Sequence, residues 1–152
     1  MDAALIAVLG TLLGSVVTHY FQGRATVRGA ELARAEQLRQ ERISSYSAFA
    51  GAVHDYRRGQ NDRWFRAHEN APDAVAEASR FASYEARITA RAALVRVQLV
   101  CDDPRLRHLA DHAFELTHCL HEATDETDRD ERSRRAKDAL NAFVAAVAPT
   151  VR

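Results

Sequence analysis

The chain opens with an apolar stretch, and the remainder mixes charged and apolar positions at helical spacing. Ala3–Phe21 contains no Asp, Glu, Lys or Arg. At about 1.5 Å rise per residue, a helix over this stretch spans roughly 28 Å, close to the hydrocarbon thickness of a bilayer. The pattern therefore predicts a single transmembrane helix within residues 1–23. A helix buried in the core of a soluble protein is the alternative interpretation.

The charges that flank this stretch indicate its orientation. No Lys or Arg precedes it, whereas Arg24, Arg28 and Arg34 follow it. Because basic residues favour the cytoplasmic side, we expect a single-pass protein of the cell membrane with its N-terminus outside and its body in the cytoplasm. A cleaved signal peptide is disfavoured, since the stretch has no basic start and no small-x-small cleavage site after it.

Small residues recur along the apolar stretch at steps of three and four, which places them on one helix face. They are Ala3, Ala7, Gly10, Gly14 and Thr18. Gly10 and Gly14 have the GxxxG spacing that lets two membrane helices approach closely. We therefore predict a homo-oligomer formed through this face of the anchor. The alternative is that Gly is simply frequent in membrane helices.

Beyond Gly23 the sequence is rich in Arg, Glu and Ala, and it predicts an all-α body. Residues 24–42 are charged nearly all round, as in a solvent-exposed helical stalk. Apolar residues then recur at steps of three and four, which indicates a core-facing stripe. This stripe consists of Tyr46, Phe49, Val53 and Tyr56. We predict that the first helix continues from the membrane through the stalk into a bundle formed by residues 43–152.

Two prolines divide the body into further helices. Pro72 and Pro104 suit the first turn of a helix, and Asp103 is a good N-cap. The second helix is predicted over Asp73–Val100, the third from Pro104 to about Thr124, and the fourth from the capping-box pair Asp128 and Glu131 to Pro149. The architecture is an antiparallel three- to four-helix bundle.

Hydrophobic spacing predicts which side of each later helix faces the core. On the second helix the expected core residues are Ala78, Phe81, Ile88, Ala92, Val95 and Leu99. On the third they are Leu106, Leu109, Ala113, Leu116 and Leu120. On the fourth they are Ala136, Leu140, Phe143, Val144 and Val147.

Composition narrows the classes of function. The formal net charge is zero, so no global field attracts nucleic acid or acidic substrates. Cys101 and Cys119 are too few for a disulfide framework and are expected to be free thiols. We find no nucleophile with an activating base and no phosphate-binding loop. The sequence therefore predicts a protein that is not an enzyme and that needs no cofactor.

The third helix carries the strongest candidates for metal ligands. His108 and His112 have the i,i+4 spacing of a helical zinc site, and Glu115 with His118 forms a Glu-x-x-His half-motif. Helical geometry places His108, Glu115 and His118 roughly 130–150° from the expected core stripe, on the solvent side. We therefore predict no metal site, with His108 and His112 as the weak candidate.

Arginines and an aromatic residue cluster near the end of the first helix. They are Arg57, Arg58, Arg63, Trp64 and Arg66. Arg and Trp are frequent anchors of protein interfaces, so this set is the candidate surface for an unknown protein partner. Nucleic-acid binding through phosphate contacts and stacking is an alternative. A structural role, with Trp64 capping the core and the Arg side chains solvated, is the third.

The layout as a whole resembles the KilB-like small membrane-associated proteins of actinobacteria such as Streptomyces. The most specific matching pieces are Gly10-Thr11-Leu12-Leu13-Gly14 and the region from Tyr56-Arg57-Arg58 to Trp64. The resemblance implies a membrane-associated role in the spread of conjugative plasmids and supplies no catalytic residues. We predict a non-enzymatic, membrane-anchored, self-associating scaffold or adaptor. The alternatives are a metal-binding protein or enzyme that uses His108 and His112, and a membrane-tethered nucleic-acid binder.

Overall fold

The computed structural model describes the backbone of residues 2–69 and 71–151, and the side chains of residues 28–69 and 71–151. These residues form four α-helices: α1 (Asp2–His68), α2 (Asp73–Val100), α3 (Pro104–His118) and α4 (Glu126–Val147). Short 3-10 helices over Cys119–Glu122 and Ala148–Val151 follow α3 and α4. The described residues contain no strand, so the prediction of an all-α chain is confirmed.

The chain divides into two units, residues 1–40 and 41–152. In the first unit the described side chains are almost all exposed, including those of Leu32 and Leu38. Glu36 accepts hydrogen bonds from Arg39 at 3.1 Å and from Gln40 at 2.8 Å. Such pairs at i,i+3 and i,i+4 stabilise a helix that buries little apolar surface.

Within the residues that the structure describes, no helix is long and apolar enough to cross a membrane. The predicted anchor Ala3–Phe21 lies outside the residues whose side chains are described. The same holds for its small-residue face, Ala3, Ala7, Gly10, Gly14 and Thr18. The transmembrane helix and its oligomer face therefore stay predictions from the sequence.

The core of the second unit is built on the predicted stripe of α1. Tyr46, Phe49, Val53 and Tyr56 are all buried. The ring of Phe143 on α4 lies edge-on to Tyr46 and Phe49, with centroids 5.9 and 5.1 Å apart. Edge-to-face pairs of this kind add to the stabilisation from apolar burial. The α1 stripe therefore holds α4 through aromatic contacts.

Contacts near both ends of the helices show an antiparallel bundle. Arg42 on α1 donates to the carbonyl of Val100 at the end of α2 (3.3 Å). Further along α1, the Gln60 side chain accepts from Ser83 in the first half of α2 (2.9 Å). α1 and α2 therefore run in opposite directions. The Tyr46–Phe143 contact and the bond from Arg57 to Ser133 (3.1 Å) show the same for α1 and α4.

Side-chain caps set the helix starts. Asp103 accepts from the backbone N–H of Arg105 (2.8 Å), and Pro104 begins α3 as predicted. The predicted start of α4 was wrong, because the N-cap is Asp125, which accepts from the N–H of Asp128 (2.9 Å). The carboxylate of Asp128 in turn accepts from the N–H of Thr124 (3.0 Å). This reciprocal cap starts α4 at Glu126 and leaves only a 3-10 turn after His118, so α3 ends before the predicted Thr124.

The predicted core face of α2 was wrong. All six residues expected inside are exposed: Ala78, Phe81, Ile88, Ala92, Val95 and Leu99. The buried residues are instead Ser79, Ser83, Ala90, Leu94 and Val97.

Polar matching with α1 explains this orientation. Ser79 donates to Asp62 (2.6 Å) and Ser83 to Gln60 (2.9 Å), so both buried hydroxyls are satisfied. Their small size also lets the helices approach closely, since a Cβ on Gly59 would lie 3.5 Å from the Cα of Ser83. The spacing of apolar residues in the sequence indicates neither these hydrogen bonds nor the close approach of the two helices.

Smaller differences occur on α3 and α4. Val144 was expected inside but is 44% exposed, and Leu109 and Leu116 are only partly buried. Leu106 and Ala113 on α3 and Leu120 in the 3-10 helix after it are buried as predicted, and so are Ala136, Leu140, Phe143 and Val147 on α4. On α3 the buried positions that the prediction omitted are Ala110, Phe114 and Thr117.

A matched pair of Leu substitutions on α2 tests this orientation. Leu94 is fully buried and Leu99 is 80% exposed. We expect Leu94→Ala to lower the free energy of unfolding by about 2–5 kcal/mol, because it leaves a cavity. Leu99→Ala should change it by less than about 0.5 kcal/mol. Urea denaturation followed by circular dichroism at low micromolar protein measures both, and a larger loss for Leu99→Ala would contradict the assigned face.

Candidate functional site

The candidate partner residues on α1 do not form one surface. Arg58 and Arg66 are exposed and pair with acidic residues of their own helix, Asp55 (3.6 Å) and Asp62 (3.4 Å). Arg58 and Arg63 are five positions apart, so they point about 140° away from each other around the helix. Exposed pairs of this kind contribute little to stability.

Trp64 lies in the core and not on the surface. It is 5% exposed, and its indole N–H donates to the carbonyl of Ala123 (2.8 Å). The imidazole of His68 stacks on the indole with a centroid distance of 4.0 Å. Trp64 therefore joins the end of α1 to the segment between α3 and α4, as the structural interpretation of the sequence expected.

Arg129 on α4 completes this junction, and the sequence analysis did not identify it. Its guanidinium lies 4.1 Å from the ring centroid of Phe65 and 5.3 Å from that of Trp64. It is 8% exposed and pairs with Asp130 (2.8 Å) and Glu126 (3.5 Å). Burial of such a charge requires pairing, which these carboxylates and the aromatic faces supply. No local sequence signal identifies it, because both rings belong to a distant helix.

The two remaining arginines turn toward different helices. Arg57 donates to the hydroxyl of Ser133 on α4 (3.1 Å). The guanidinium of Arg63 lies over the ring of Tyr84 on α2, 5.5 Å from its centroid. The five candidate residues are therefore divided among the core, two helix contacts and two local ion pairs.

A buried polar network joins α1 to α2 and to the end of α3. Gln60 is its centre and is 1% exposed. Its side-chain N–H groups donate to the hydroxyl of Tyr56 (3.0 Å) and the carbonyl of His118 (2.9 Å), and its oxygen accepts from Ser83. All polar atoms of the Gln60 amide are thereby satisfied, as burial requires.

Two histidines extend this network. The Tyr56 hydroxyl, which accepts from Gln60, lies within hydrogen-bond distance of Nδ1 of His118 (3.0 Å). His118 was expected on the solvent side of α3, but it is half-buried because its ring fills this junction. Nδ1 of His121 donates to the carbonyl of His118 (2.8 Å). Because a carbonyl can only accept, this contact places a proton on Nδ1 of His121.

Burial changes the acid–base behaviour of two groups in the network. It raises the pKa of Tyr56 to about 12, which keeps the hydroxyl protonated and able to donate to His118. It also lowers the pKa of the His121 imidazole below its ordinary value, because the charged form would lose hydration. The arrangement supports a neutral structural network.

His108 and His112 lie on the exposed side of α3. Their rings are nearly parallel, with centroids 6.3 Å apart. Among the described residues, no group of three or more His, Cys, Asp or Glu side chains could hold a metal ion. Among the described residues, therefore, no third ligand lies near enough to complete a metal site with His108 and His112.

Both cysteines are free thiols. Cys101 is buried, and its Sγ lies 3.6 Å from the carbonyl of Asp103. Cys119 is half-buried, and burial together with the nearby carboxylates of Glu122 and Glu115 raises its pKa. Because the thiolate is the reactive form, a raised pKa opposes nucleophilic chemistry at Cys119.

Comparison with known proteins gives one match. The family model described as KilB plasmid transfer protein matches residues 43–151, more than two thirds of the 152-residue chain. A search of curated proteins found no significant match. A search of solved structures found none either. The matched range contains the whole polar network and the Trp64 junction.

The pH dependence of stability tests the burial of His121. Its pKa is lowered in the folded chain, so the stabilisation is complete above the unfolded value of about 6.5 and is lost as the pH falls through the folded pKa. We expect His121→Gln to reduce the loss of stability on acidification below about pH 6.5.

His54→Gln serves as the matched control, because His54 is exposed on α1. Because it replaces an exposed side chain, it should change the free energy of unfolding by less than about 0.5 kcal/mol. Urea denaturation at a series of pH values measures both variants. Equal slopes for wild type and His121→Gln would contradict the buried neutral imidazole.

Proposed function

Because the chain belongs to the KilB plasmid transfer protein family over residues 43–151, we propose that it is a non-enzymatic, membrane-anchored helical scaffold or adaptor in plasmid transfer. The family membership is the observation that carries the proposal. It supports plasmid transfer as the process, and the helical bundle supplies a folded body that a partner could bind.

The polar residues inside the bundle support a scaffolding role over a catalytic one. Gln60 donates to the Tyr56 hydroxyl and to the carbonyl of His118, and the Tyr56 hydroxyl lies within hydrogen-bond distance of the His118 ring. Catalytic groups need pKa values near the operating pH, whereas burial moves that of Tyr56 to about 12. These groups therefore stabilise the contacts among α1, α2 and α3.

The membrane part of the proposal rests on the sequence of Ala3–Phe21. Its length and its lack of charged residues suit a bilayer span, and the arginines that begin at Arg24 suit the cytoplasmic side. In this arrangement the bundle lies in the cytoplasm, where it can meet plasmid-transfer partners. The Gly10 and Gly14 face of the anchor supports self-association within the membrane.

Two pairs of Leu→Arg substitutions test the anchor. We expect Leu9→Arg with Leu13→Arg to move the protein from the membrane fraction to the soluble fraction. Each Arg at the centre of a span costs about 2.5–3.5 kcal/mol of insertion free energy. Leu32→Arg with Leu38→Arg is the matched control, because both Leu side chains are exposed on α1.

Membrane flotation and plasmid-transfer frequency are the measurements. The anchor pair should reduce both, and the control pair should change neither. A wild-type protein found wholly in the soluble fraction would contradict the anchor. Unchanged plasmid transfer by a solubilised variant would contradict the role assigned to anchoring.

A further inference from the structure

α2 has a second apolar face that the bundle does not cover. Leu99, Ile88 and Phe81 are 80%, 63% and 57% exposed, and Tyr84 and Val95 are also exposed. Ile88 lies nine positions before the buried Val97, which is about 180° around the helix. The apolar residues of α2 that we predicted to face the core therefore form a continuous stripe on the side of the helix opposite Val97.

The stripe is too regular to be a scatter of single exposed side chains. Phe81, Ile88 and Val95 follow at seven-residue intervals, and the second heptad position is occupied by Ala78, Glu85, Ala92 and Leu99. This is the a/d pattern of a helix that pairs with another helix. Its 22 positions from Ala78 to Leu99 extend over roughly 33 Å.

The middle of the stripe is a groove. Tyr84, Ile88, Ala92 and Val95 line it together with Arg87 and Arg91, and its volume is about 560 Å³. The guanidinium of Arg91 lies 5.6 Å from the ring centroid of Phe114, which holds that side chain at the rim. The floor is therefore apolar and the edge is basic, as in the core and rim of an interface.

The charges of α2 indicate what covers this face. Its first half, residues 73–86, carries Asp73, Glu77 and Glu85 against Arg80. Its second half, residues 87–100, carries Arg87, Arg91 and Arg96 and no acidic residue. The helix dipole favours Asp73 in the first turn, but its influence does not reach residues near the middle such as Glu85 and Arg87.

We propose that the Phe81–Leu99 face of α2 binds the same face of a second copy of this chain, with the two helices antiparallel. This arrangement places each acidic half opposite the basic half of the other copy. A parallel pair would place like charges opposite each other. A two-fold axis lets one patch complement itself, which is the usual geometry of homodimers.

Side-chain sizes agree with the antiparallel pairing. In the antiparallel pair, residues at one heptad position of the first copy pack opposite residues at the other heptad position of the second copy. Phe81 then lies opposite Ala92 of the second copy. Val95 lies opposite Ala78, and Leu99 lies opposite Ala74. At these three pairs a large side chain meets an alanine, which allows knobs-into-holes packing. Glu85 is the single polar residue at these positions, and the same register places it opposite Ile88, in the basic half of the second copy.

Cross-linking of the full-length chain tests the contact and its direction. One tagged copy carries Ala74→Cys and a differently tagged copy carries Leu99→Cys, both with Cys101→Ser and Cys119→Ser. The two positions are roughly 37 Å apart on one helix, beyond the reach of a short bismaleimide. We expect strong cross-linking between the two tags and at least about tenfold less for either variant with itself. Equal or reversed yields would overturn the antiparallel pair.

Ile88→Glu tests the apolar face. Because Ile88 is exposed, the monomer should fold, as circular dichroism will show. We expect the cross-linked product to fall at least about tenfold, since each copy would bury a carboxylate. Val144→Glu is the matched control on α4, where Val144 is also exposed, and it should leave the yield unchanged.

Two results would show that the copies meet through the anchor or that the α2 face binds lipid. Cross-links that survive Ile88→Glu but disappear with Gly10→Ile and Gly14→Ile would overturn the proposal in favour of the anchor. Loss of flotation in Ile88→Glu, with no cross-link in the parent, would assign the face to lipid. Because flotation and cross-linking are separate readouts, failure of the α2 contact is distinguishable from failure of the anchor.

Charge exchange gives a second test. Glu77→Arg with Glu85→Arg makes one helix predominantly basic, and Arg87→Glu with Arg96→Glu makes another predominantly acidic. We expect each variant alone to cross-link at least about fivefold less, and a mixture of the two to recover the wild-type yield. If the mixture cross-links as weakly as either variant alone, the charge argument is overturned.

Discussion

The burial of one stripe of α1 is the constraint on which the bundle depends. Tyr46, Phe49, Val53 and Tyr56 belong to a single helix, yet between them they contact the other helices of the second unit. Phe143 packs edge-on to Tyr46 and Phe49, and Phe114 lies against Tyr56 at 5.8 Å. Since α1 is shared by these contacts, loss of its aromatic residues would loosen α3 and α4 together.

Hydrogen bonding then decides how α2 docks on α1. The buried amide of Gln60 needs partners, and Ser83 supplies one while His118 supplies another. Leaving such a group unsatisfied costs about 1–3 kcal/mol, comparable with the gain from burying one large apolar side chain. α2 therefore buries Ser79 and Ser83 together with Ala90, Leu94 and Val97, while Phe81, Ile88 and Leu99 lie on the other face. This orientation of α2 on α1 leaves the apolar stripe on the opposite face of α2 uncovered.

The sequence was sufficient for two helix starts that depend on local chemistry, although the Asp125 cap of α4 was missed. Pro104 with Asp103 marked the start of α3, and the bounds of α2 were predicted as observed, because caps and prolines act within one turn. The face of α2 was not predictable in this way, since two apolar faces give the same periodicity. Arg129 was also missed, because its aromatic partners lie more than sixty residues away in sequence.

The candidate site shows the same limit. Five neighbouring residues of α1 suggested one surface, but the structure buries Trp64 and directs Arg57 and Arg63 to different helices. Local clustering in a helix does not imply a common face, because successive residues are about 100° apart. Spacing by seven, as on α2, is the stronger indicator of a surface that acts as a unit.

The range of the family match separates the bundle from the predicted anchor. The match covers residues 43–151, which contain the bundle and the α2 stripe, and does not include Ala3–Phe21. An apolar span needs only length and hydrophobicity, so many sequences can serve as an anchor. Far fewer sequences can form a bundle that leaves uncovered an apolar face with regular spacing and flanking charges. In the proposed protein the anchor supplies location, and the bundle supplies recognition, beginning with recognition of a second copy of itself.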